Sequence, residues 1–316
     1  MCAINGIFSG KYLADIIQRV KNMNNAVSHR GPDGEGIELA DEGLALGHRR
    51  LAILDLDLRS NQPMISKQGN MLIFNGEIYN YQEIKKELHY PFQTKSDTEV
   101  LLAAIEEKGI DWCLEKCNGM FAFAFWNCAK QRLILARDRM GIKPFYYYRQ
   151  ENCFIFSSEI KGILSSGLVE AKFNEGAIDE YLANRYVRAP YTFFENIMQI
   201  LPGQYLVVHR EHEKIKLKEK TFWCLPDTFN MYQEYDEDEL TEAFTQEVIN
   251  AIKRRMIAEV PLGTYLSGGV DSSLISAITA LHQKENIHTY TIGFEELNEF
   301  EYAETVSRQY HTIHHE

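Results

Sequence analysis

The chain has 316 residues, 45% hydrophobic and 25% charged, an ordinary composition for a folded protein and long enough for about two domains. A net charge of −12 argues against a general binder of nucleic acid or of anionic membranes, whose partners demand an excess of Lys and Arg. Apolar runs such as 120–126 fall far short of the ~20 residues of a membrane span and no signal peptide is visible; six cysteines (Cys2, Cys113, Cys117, Cys128, Cys153, Cys224) are too sparse for a disulfide framework and suit a reduced, cytoplasmic setting.

The opening residues 2–8 read as a strand that begins at Cys2. Removal of Met1, which the small Cys2 side chain permits, would leave a thiol and a free α-amine on one carbon, a nucleophile carrying its own base. An amine of pKa about 7.7–8.0 is suited to take the proton of a thiol whose ordinary pKa is about 8.5. On these residues alone a buried strand start is the better reading, because free cysteine is among the most buried residue types. A helix is predicted over 13–26 and a strand over 43–49, closing on His48-Arg49-Arg50. There an arginine can grip a carboxylate through two parallel hydrogen bonds.

The strand 71–74 runs into Asn75-Gly76, a pair that predicts positive φ and a sharp turn. Its side-chain amide and backbone N–H are the donor types of an oxyanion hole. Ser96-Asp97-Thr98-Glu99 is a capping box opening a helix through residue 108, and it puts Asp97 in the first turn, where the macrodipole favours an acid. Phe121, Phe123 and Phe125 alternate with Ala122 and Ala124, the period of a strand with one aromatic face, paired as a hairpin with 132–136. Further strands are expected over 144–148, 153–157 and 204–208. Hairpin-linked strands with helices gathered between them indicate an α+β domain with antiparallel sheets.

Residues 209–239 are polar and weakly periodic and read as a linker. A helix over 239–258, a strand over 262–266, a glycine-serine loop, a helix over 272–283 and a strand over 287–294 then form the opening of a parallel α/β nucleotide-binding domain. Residues 240–316 are too few to complete such a domain, so the chain is expected to stop inside it. In Leu266-Ser267-Gly268-Gly269-Val270-Asp271-Ser272-Ser273 the glycines let backbone N–H groups approach phosphate oxygens. Serine hydroxyls and the helix N-terminus add donors, and Asp271 can hold a Mg²⁺ that bridges the phosphates. The loop lacks the Gly-Lys-Ser/Thr ending of a Walker A motif, so γ-phosphate transfer is not indicated.

Cys2, Arg50, Asn75, Gly76, Glu77 and Asp97 together describe a pocket for one substrate. It offers a carboxylate grip at Arg50, an ammonium site at Glu77 and Asp97, and a carbonyl position before Cys2. Glutamine fits that description.

The segments Met1-Cys2-Ala3-Ile4-Asn5-Gly6, His29-Arg30-Gly31-Pro32-Asp33, Gly47-His48-Arg49-Arg50-Leu51, Phe74-Asn75-Gly76-Glu77-Ile78-Tyr79-Asn80 and Ser96-Asp97-Thr98-Glu99 resemble, in residues and order, the class II glutamine amidotransferase domain. Asn118-Gly119-Met120-Phe121-Ala122-Phe123, Arg137-Asp138-Arg139-Met140-Gly141-Ile142-Lys143-Pro144 and Ser157-Ser158-Glu159-Ile160-Lys161 narrow the resemblance to the glutamine-hydrolysing asparagine synthetases, and it covers essentially the whole chain. The resemblance implies a four-layer αββα N-terminal-nucleophile hydrolase sandwich over 2–208, the linker 209–239, and over 240–316 the start of an ATP-pyrophosphatase synthetase domain.

It implies roles too. Cys2 would attack the glutamine side-chain amide, releasing ammonia and leaving a glutamyl thioester for water, with Asn75 and Gly76 as oxyanion hole. Arg50 would bind the α-carboxylate, Arg50 rather than Arg49 because Leu51 follows it, and Glu77 and Asp97 the α-ammonium. Leu266, Ser267, Gly268, Gly269, Asp271, Ser272, Ser273, Ile292 and Gly293 would hold ATP with Mg²⁺, and no prosthetic group is implied. The expected reaction is glutamine-dependent asparagine synthesis from L-glutamine, L-aspartate and ATP through an aspartyl-adenylate, in a possible homodimer, with no nucleic acid or membrane partner. Two alternatives stand beside it: another carboxylate acceptor, from a sugar or a peptide, or a shortened chain keeping only glutaminase or glutamine-binding function. No zinc role is expected for His311, His314, His315 and Glu316, and Cys113 and Cys117 are expected to pack.

Overall fold

The computed structural model describes residues 1–226, 236–294 and 299–316, which fall into two compact units, Met1–Pro226 and Asp227–Glu316. In the first unit the strands, in chain order, are β1 (Ala3–Ser9), β2 (Gly34–Asp41), β3 (Leu44–Arg50), β4 (Met64–Ile65), β5 (Met71–Ile78), β6 (Gly119–Asn127), β7 (Arg132–Arg137), β8 (Tyr146–Gln150), β9 (Cys153–Ser157), β10 (Ile197–Gln199), β11 (Gln204–Glu211) and β12 (Lys214–Thr221). Its helices are α1 (Ile16–Ala26), α2 (Tyr81–Lys86), α3 (Asp97–Lys108), α4 (Ile110–Lys116), α5 (Ile160–Leu164) and α6 (Gly176–Asn184). The strands make two antiparallel sheets, ordered β10-β8-β9-β1-β3-β2 and β12-β11-β7-β6-β5-β4.

Residue alternation along each strand sorts side chains into layers. On β6, Phe121, Phe123 and Phe125 pack outward with Val100, Leu101 and Leu114 of α3 and α4, whereas Ala122, Ala124 and Trp126 face Ile4, Phe8, Leu44 and Leu46 of the other sheet. On the far side Ile7, Ala45 and Ile155 pack with Ile16, Val20 and Met23 of α1 and Ile163 of α5. The layers are therefore α–β–β–α, the sandwich expected from the sequence, with the core split across three interfaces.

Two expectations need correction. β5 does not turn at Asn75-Gly76: it runs on to Ile78, with Asn75 opposite Ala122 and Gly76 opposite Phe121. The glycine is required by close approach, since a Cβ there would lie 2.2 Å from the Met120 carbonyl oxygen and 2.8 Å from Phe121 Cα. Nor does a linker start at residue 209: β11 continues to Glu211, and Lys214–Thr221 pairs with it along its whole length. Lys214, Lys216, Lys218 and Lys220 alternate there with the buried Ile215 and half-buried Leu217, so the charge belongs to an edge strand, where lysine blocks further pairing. Residues 227–235 of the expected linker lie outside the described residues.

The second unit holds α7 (Glu237–Arg255), β13 (Gly263–Tyr265), α8 (Val270–His282), β14 (His288–Tyr290), α9 (Phe300–Tyr310) and β15 (Ile313–His315). Asp236 caps α7 by accepting the Asp238 and Glu239 N–H groups, with acids in its first turn and Lys253, Arg254 and Arg255 in its last, as the macrodipole favours. The three strands pair in parallel, β13-β14-β15. No helix among the described residues is long and apolar enough to cross a membrane.

Candidate active site

The parity that sends Ile4, Leu46 and Ile73 into the layer between the sheets is shared by Cys2, His48, Arg50, Asn75 and Glu77. The antiparallel pairing brings the start of β1 beside the end of β3, Ala3 opposite Arg49. His48 joins β3 to the other sheet through Nε2 and the Phe74 carbonyl, 3.1 Å apart, and burial pushes its pKa down to about 3, so it stays neutral. One pocket is then lined by Cys2, Arg50, Leu51, Gln62, Gly76, Glu77 and Asp97.

Cys2 Sγ sits against the Leu51 backbone, accepting its N–H at 3.4 Å and facing its carbonyl at 3.6 Å. Burial pushes the thiol pKa up and Glu77 adds to it, while the Leu51 N–H, the N-terminal amine and Lys143 pull it down. Burial also lowers the amine, which in the chain as translated belongs to Met1. The backbone here is held firmly. Arg30 Nε donates to the Cys2 carbonyl at 3.0 Å, its Nη1 pairs with Glu159 at 3.0 Å, and His29 Nε2 lies 2.9 Å from the same carboxylate oxygen. Ile4 and Ser158 exchange two hydrogen bonds of 3.0 Å. The buried Asn5 donates to Asn24 at 2.8 Å and accepts from Ser157 at 2.6 Å, so each polar group under the strand is paired.

Along the free edge of β5, Phe74 N–H donates to Gln62 Oε1 at 2.6 Å and Ile78 N–H to Asp97 Oδ2 at 2.9 Å. The Gly76 N–H, two residues from each, has the same direction and opens into the pocket between those two side chains. Beside it Asn75, 1% exposed, has neither Nδ2 nor Oδ1 hydrogen-bonded, and Glu77 Oε2 is likewise buried without a partner. Such orphans cost ~1–3 kcal/mol each and concentrate where a ligand completes them. Asp97, at the first residue of α3, is 4% exposed. Its pKa and that of Glu77 are both raised, first by burial and for Glu77 also by Asp97 itself, with Lys143 pulling Glu77 back. Two carboxylates that must share a dry site call for a cation between them.

The capping box is only half formed: Ser96 Oγ accepts the Glu99 N–H at 3.2 Å, but the Glu99 carboxylate reaches on to the Gln93 and Thr94 N–H groups and the Thr94 hydroxyl. Arg50 spends three of a guanidinium's five N–H groups on the following loop, through the carbonyls of Asp55 and Asp57 and Asn61 Oδ1, which leaves two for a ligand. Asp55 in turn ties that loop to the one before α3 by accepting the Ser60 hydroxyl at 2.8 Å and the Lys95 N–H at 2.6 Å. Gln62 and Asp55 carry the site's geometry without any sequence signal, since single side-chain ties have no spacing to read, and Leu51 was legible only as the residue that marks Arg50. Arg30, Glu159 and Lys143 stand in the recognised motifs, but nothing in their spacing assigned them a role.

In the second unit the glycine loop follows β13. Leu266 is buried, its N–H donates to the Tyr290 carbonyl at 2.9 Å and its carbonyl accepts the Thr291 hydroxyl, which sets Ile292 and Gly293 beside the loop at the carboxyl ends of two parallel strands. Open parallel sheets bind ligands at that edge. Gly268 has φ +82 and Gly269 caps α8. Ser267 and Ser272 face each other across the turn, Oγ to Oγ 3.0 Å, while Asp271 lies exposed in the first turn of the helix. Among the described residues no group of three or more His, Cys, Asp or Glu is placed to hold a metal ion. The donor set of the loop, one carboxylate with hydroxyls and backbone N–H groups, matches a Mg²⁺ carried mainly by substrate phosphates. Cys113 and Cys117 are buried free thiols with Sγ atoms 3.7 Å apart.

A family model described as glutamine amidotransferase domain matches residues 1–223, and one described as asparagine synthase matches residues 243–316. The asparagine synthetase (glutamine-hydrolyzing) 2 of Methanocaldococcus jannaschii is 36% identical over 338 residues, covering 100% of this chain and 64% of that protein. Asparagine synthetase (glutamine-hydrolyzing) 3 of Bacillus subtilis is 34% identical over 319 residues, 95% of this chain and 49% of that one. The chain thus spans about half to two thirds of the length of these curated relatives. Among solved structures, the glutamine phosphoribosylpyrophosphate amidotransferase of B. subtilis, complexed with ADP and GMP, superposes with a TM-score of 0.54 at 20% identity, covering 71% of this chain and 50% of that one. That likeness bears on the fold alone, and agrees with the αββα sandwich described above.

Proposed function

The chain belongs to the glutamine amidotransferase domain family, and from that premise we propose that its first unit hydrolyses glutamine at Cys2 and supplies the ammonia to an ATP-dependent asparagine synthesis begun in its second. The observation that carries the reading is one pocket that gathers Cys2, Arg50, Gly76, Glu77 and Asp97, with a buried Glu77 carboxylate oxygen left without a partner and the unpartnered Asn75 amide next to it in β5. Glutamine completes each of them. Its α-carboxylate takes the two remaining N–H groups of Arg50, and its α-ammonium settles between Glu77 and Asp97 and relieves the repulsion that Asp97 exerts on Glu77. Its side-chain amide then lies before Cys2.

In this mechanism Met1 is removed and the α-amine passes to Cys2. The amine takes the thiol proton, Sγ attacks the amide carbon, and Asn75 Nδ2 with the Gly76 N–H receives the developing oxyanion. Collapse of the tetrahedral species breaks the C–N bond, the amine returns the proton to the leaving nitrogen, and ammonia departs. Water, deprotonated by the same amine, hydrolyses the glutamyl thioester to glutamate and restores the thiol.

The second unit contributes the loop 266–273. Its backbone N–H groups and the Ser267, Ser272 and Ser273 hydroxyls receive the ATP phosphates at the N-terminus of α8, with Leu266, Ile292 and Gly293 against the nucleotide. Asp271 would hold Mg²⁺, which when bound supplies charge neutralisation on the phosphates. Attack of the aspartate side-chain carboxylate on the α-phosphate releases pyrophosphate, and ammonia displaces AMP from the aspartyl-adenylate to give asparagine. Ammonia that escaped into water would be protonated and lose its nucleophilicity, which is the chemical reason to couple the steps within one protein, held on family analogy as a homodimer in the cytoplasm.

The test follows products. Incubation of the full-length protein with glutamine, aspartate and ATP should give glutamate, asparagine, AMP and pyrophosphate in equal amounts. Glutamate alone, with AMP and pyrophosphate appearing only when a different carboxylic acid is offered, would move the acceptor away from aspartate.

A further inference from the structure

Glutamine offers the pocket two charged handles on one carbon, its carboxylate carbon and ammonium nitrogen held about 2.5 Å apart by bond lengths and bond angle alone. The groups that would grip them come from separate parts of the chain, Arg50 at the end of β3 and Asp97 at the start of α3. Neither element by itself fixes the span between the two grips, and the structure joins them through Asp55.

Asp55 is buried and has φ +50, a left-handed conformation that Asp and Asn tolerate better than other side chains. Its carbonyl accepts Arg50 Nη2, while Arg50 Nη1 holds the same loop at the Asp57 carbonyl and Asn61 Oδ1, at 3.0 and 2.8 Å. Its carboxylate takes further donors: the Lys95 N–H at 2.6 Å and the Ser60 hydroxyl at 2.8 Å on Oδ2, and the Asp57 N–H at 3.3 Å on Oδ1. Lys95 stands two residues before Asp97, and Ser96 between them caps α3. One residue is thus bonded through its main chain to the carboxylate grip and through its side chain to the segment that sets the ammonium site. A longer contact between neutral groups, Gln62 Nε2 to Thr98 Oγ1 at 3.3 Å, runs alongside. Arg50, Ser60, Ser96 and Asp97 line the pocket and Asp55 does not, so it acts through them.

We propose that Asp55 is a positioning residue that sets the distance between the two grips, and so makes the pocket selective for an α-amino acid over an amide carrying only one of the two charges. The proposal rests on the glutaminase reading of this pocket and deepens it. Hydrogen bonds to an ionised carboxylate are shorter and stronger than those between neutral groups, so the tie through Asp55 is the stiff one. Without its charge, the loop 51–61 and the start of α3 shift independently. A ligand that holds one grip follows that grip, and only a ligand spanning both registers the change.

The experiment compares three ligands of the full chain: glutamine as substrate and, as competitive inhibitors, γ-aminobutyramide, which lacks the α-carboxylate, and glutaramic acid, which lacks the α-ammonium. Asp55→Asn keeps the size and the left-handed backbone but sets an NH2 group against at least one of the donors. It is expected to raise KM for glutamine about tenfold, with kcat and the inhibition constant of each one-handled amide changed less than about twofold. A loss shared equally by all three ligands, as general loosening of the fold would give, overturns the proposal, and so does an unmoved KM. Should Asp55→Asn not fold by its melting curve, Ser60→Ala removes one donor from the carboxylate and is read by the same constants, with KM for glutamine expected to rise about threefold. Glutamate release by Cys2→Ala separates the two claims: release that persists sinks the glutaminase reading, whereas Cys2-dependent release with no selective rise in KM sinks the role of Asp55 alone.

Discussion

Around Cys2 the polar groups are buried between two sheets and fixed by named partners, Arg30 on the Cys2 carbonyl, Gln62 and Asp97 on the edge of β5, Asp55 on the loop that Arg50 holds. Around Ser267 the polar groups are exposed and bond chiefly to one another, and α7 of the same unit has no buried residue along its whole length. The difference follows what each site recognises in the proposed function. A neutral amide attacked by a thiol needs a dry cavity with donors already aimed, because preorganisation supplies the barrier reduction. A polyanion needs backbone N–H groups and a helix N-terminus, which work at a surface.

The sharpest way to break this division is Cys2→Ala. Glutamate release from glutamine should fall at least ~10³-fold, while asparagine synthesis from added ammonia by an enzyme carrying the whole synthetase portion is unchanged. Loss of both activities would mean that the units do not work as separate sites. Asn75→Ala removes one oxyanion donor and leaves the nucleophile in place. The expectation is a ~10²–10³-fold lower kcat for glutamine hydrolysis with little change in KM, and a KM effect alone in steady-state assays would return Asn75 to a binding role.

Stability sharpens the contrast further. Gly76→Ala drives a Cβ to 2.2 Å from the Met120 carbonyl in a paired strand, and the first unit should lose ~1–3 kcal/mol. Gly269→Ala meets nothing nearer than the Ser267 hydroxyl at 3.5 Å at negative φ, so the second unit should lose less than ~1 kcal/mol. Calorimetric melting of the two variants checks both, and equal losses would erase the distinction between packed and open glycines.

The smallest expected effect is on pH dependence. Glu77 and Asp97 have raised pKa values, so above pH ~4 the folded state retains protons that the unfolded chain has released, and stability falls as pH rises toward and past neutrality. The melting temperature of the free protein should drop over that window, by ~2–4 °C for each kcal/mol lost. Added glutamine brings an ammonium to the ionised pair, so its stabilising shift should grow with pH. A shift independent of pH would place the ammonium elsewhere.

Reading from sequence succeeded where a period decides the outcome. The Phe/Ala alternation of β6 named both faces of the strand, and the loop between β13 and α8 was visible because glycine and serine between apolar runs have few other uses. It failed where a local preference meets a tertiary demand. Asn75-Gly76 prefers a turn in isolation, yet here the glycine admits a neighbouring backbone and the asparagine is buried with its amide unpartnered. β12 was hidden by its lysines, whose alternation with Ile215 and Leu217 is the mark of an exposed edge. Of the six residues expected around glutamine, Cys2, Arg50, Gly76, Glu77 and Asp97 line one pocket and Asn75 lies next to Gly76 in the strand, but the ties that hold them come from loops whose contacts no spacing encodes.

The pairing of β1 also sets an order of events during synthesis. The strand lies between β3 and β9, and Ile4 bonds to Ser158, so β1 acquires its last partners only about 150 residues later in synthesis. Until then the β9 edge of β1 stays unpaired, and the sheet closes only when a segment distant in the chain has been made.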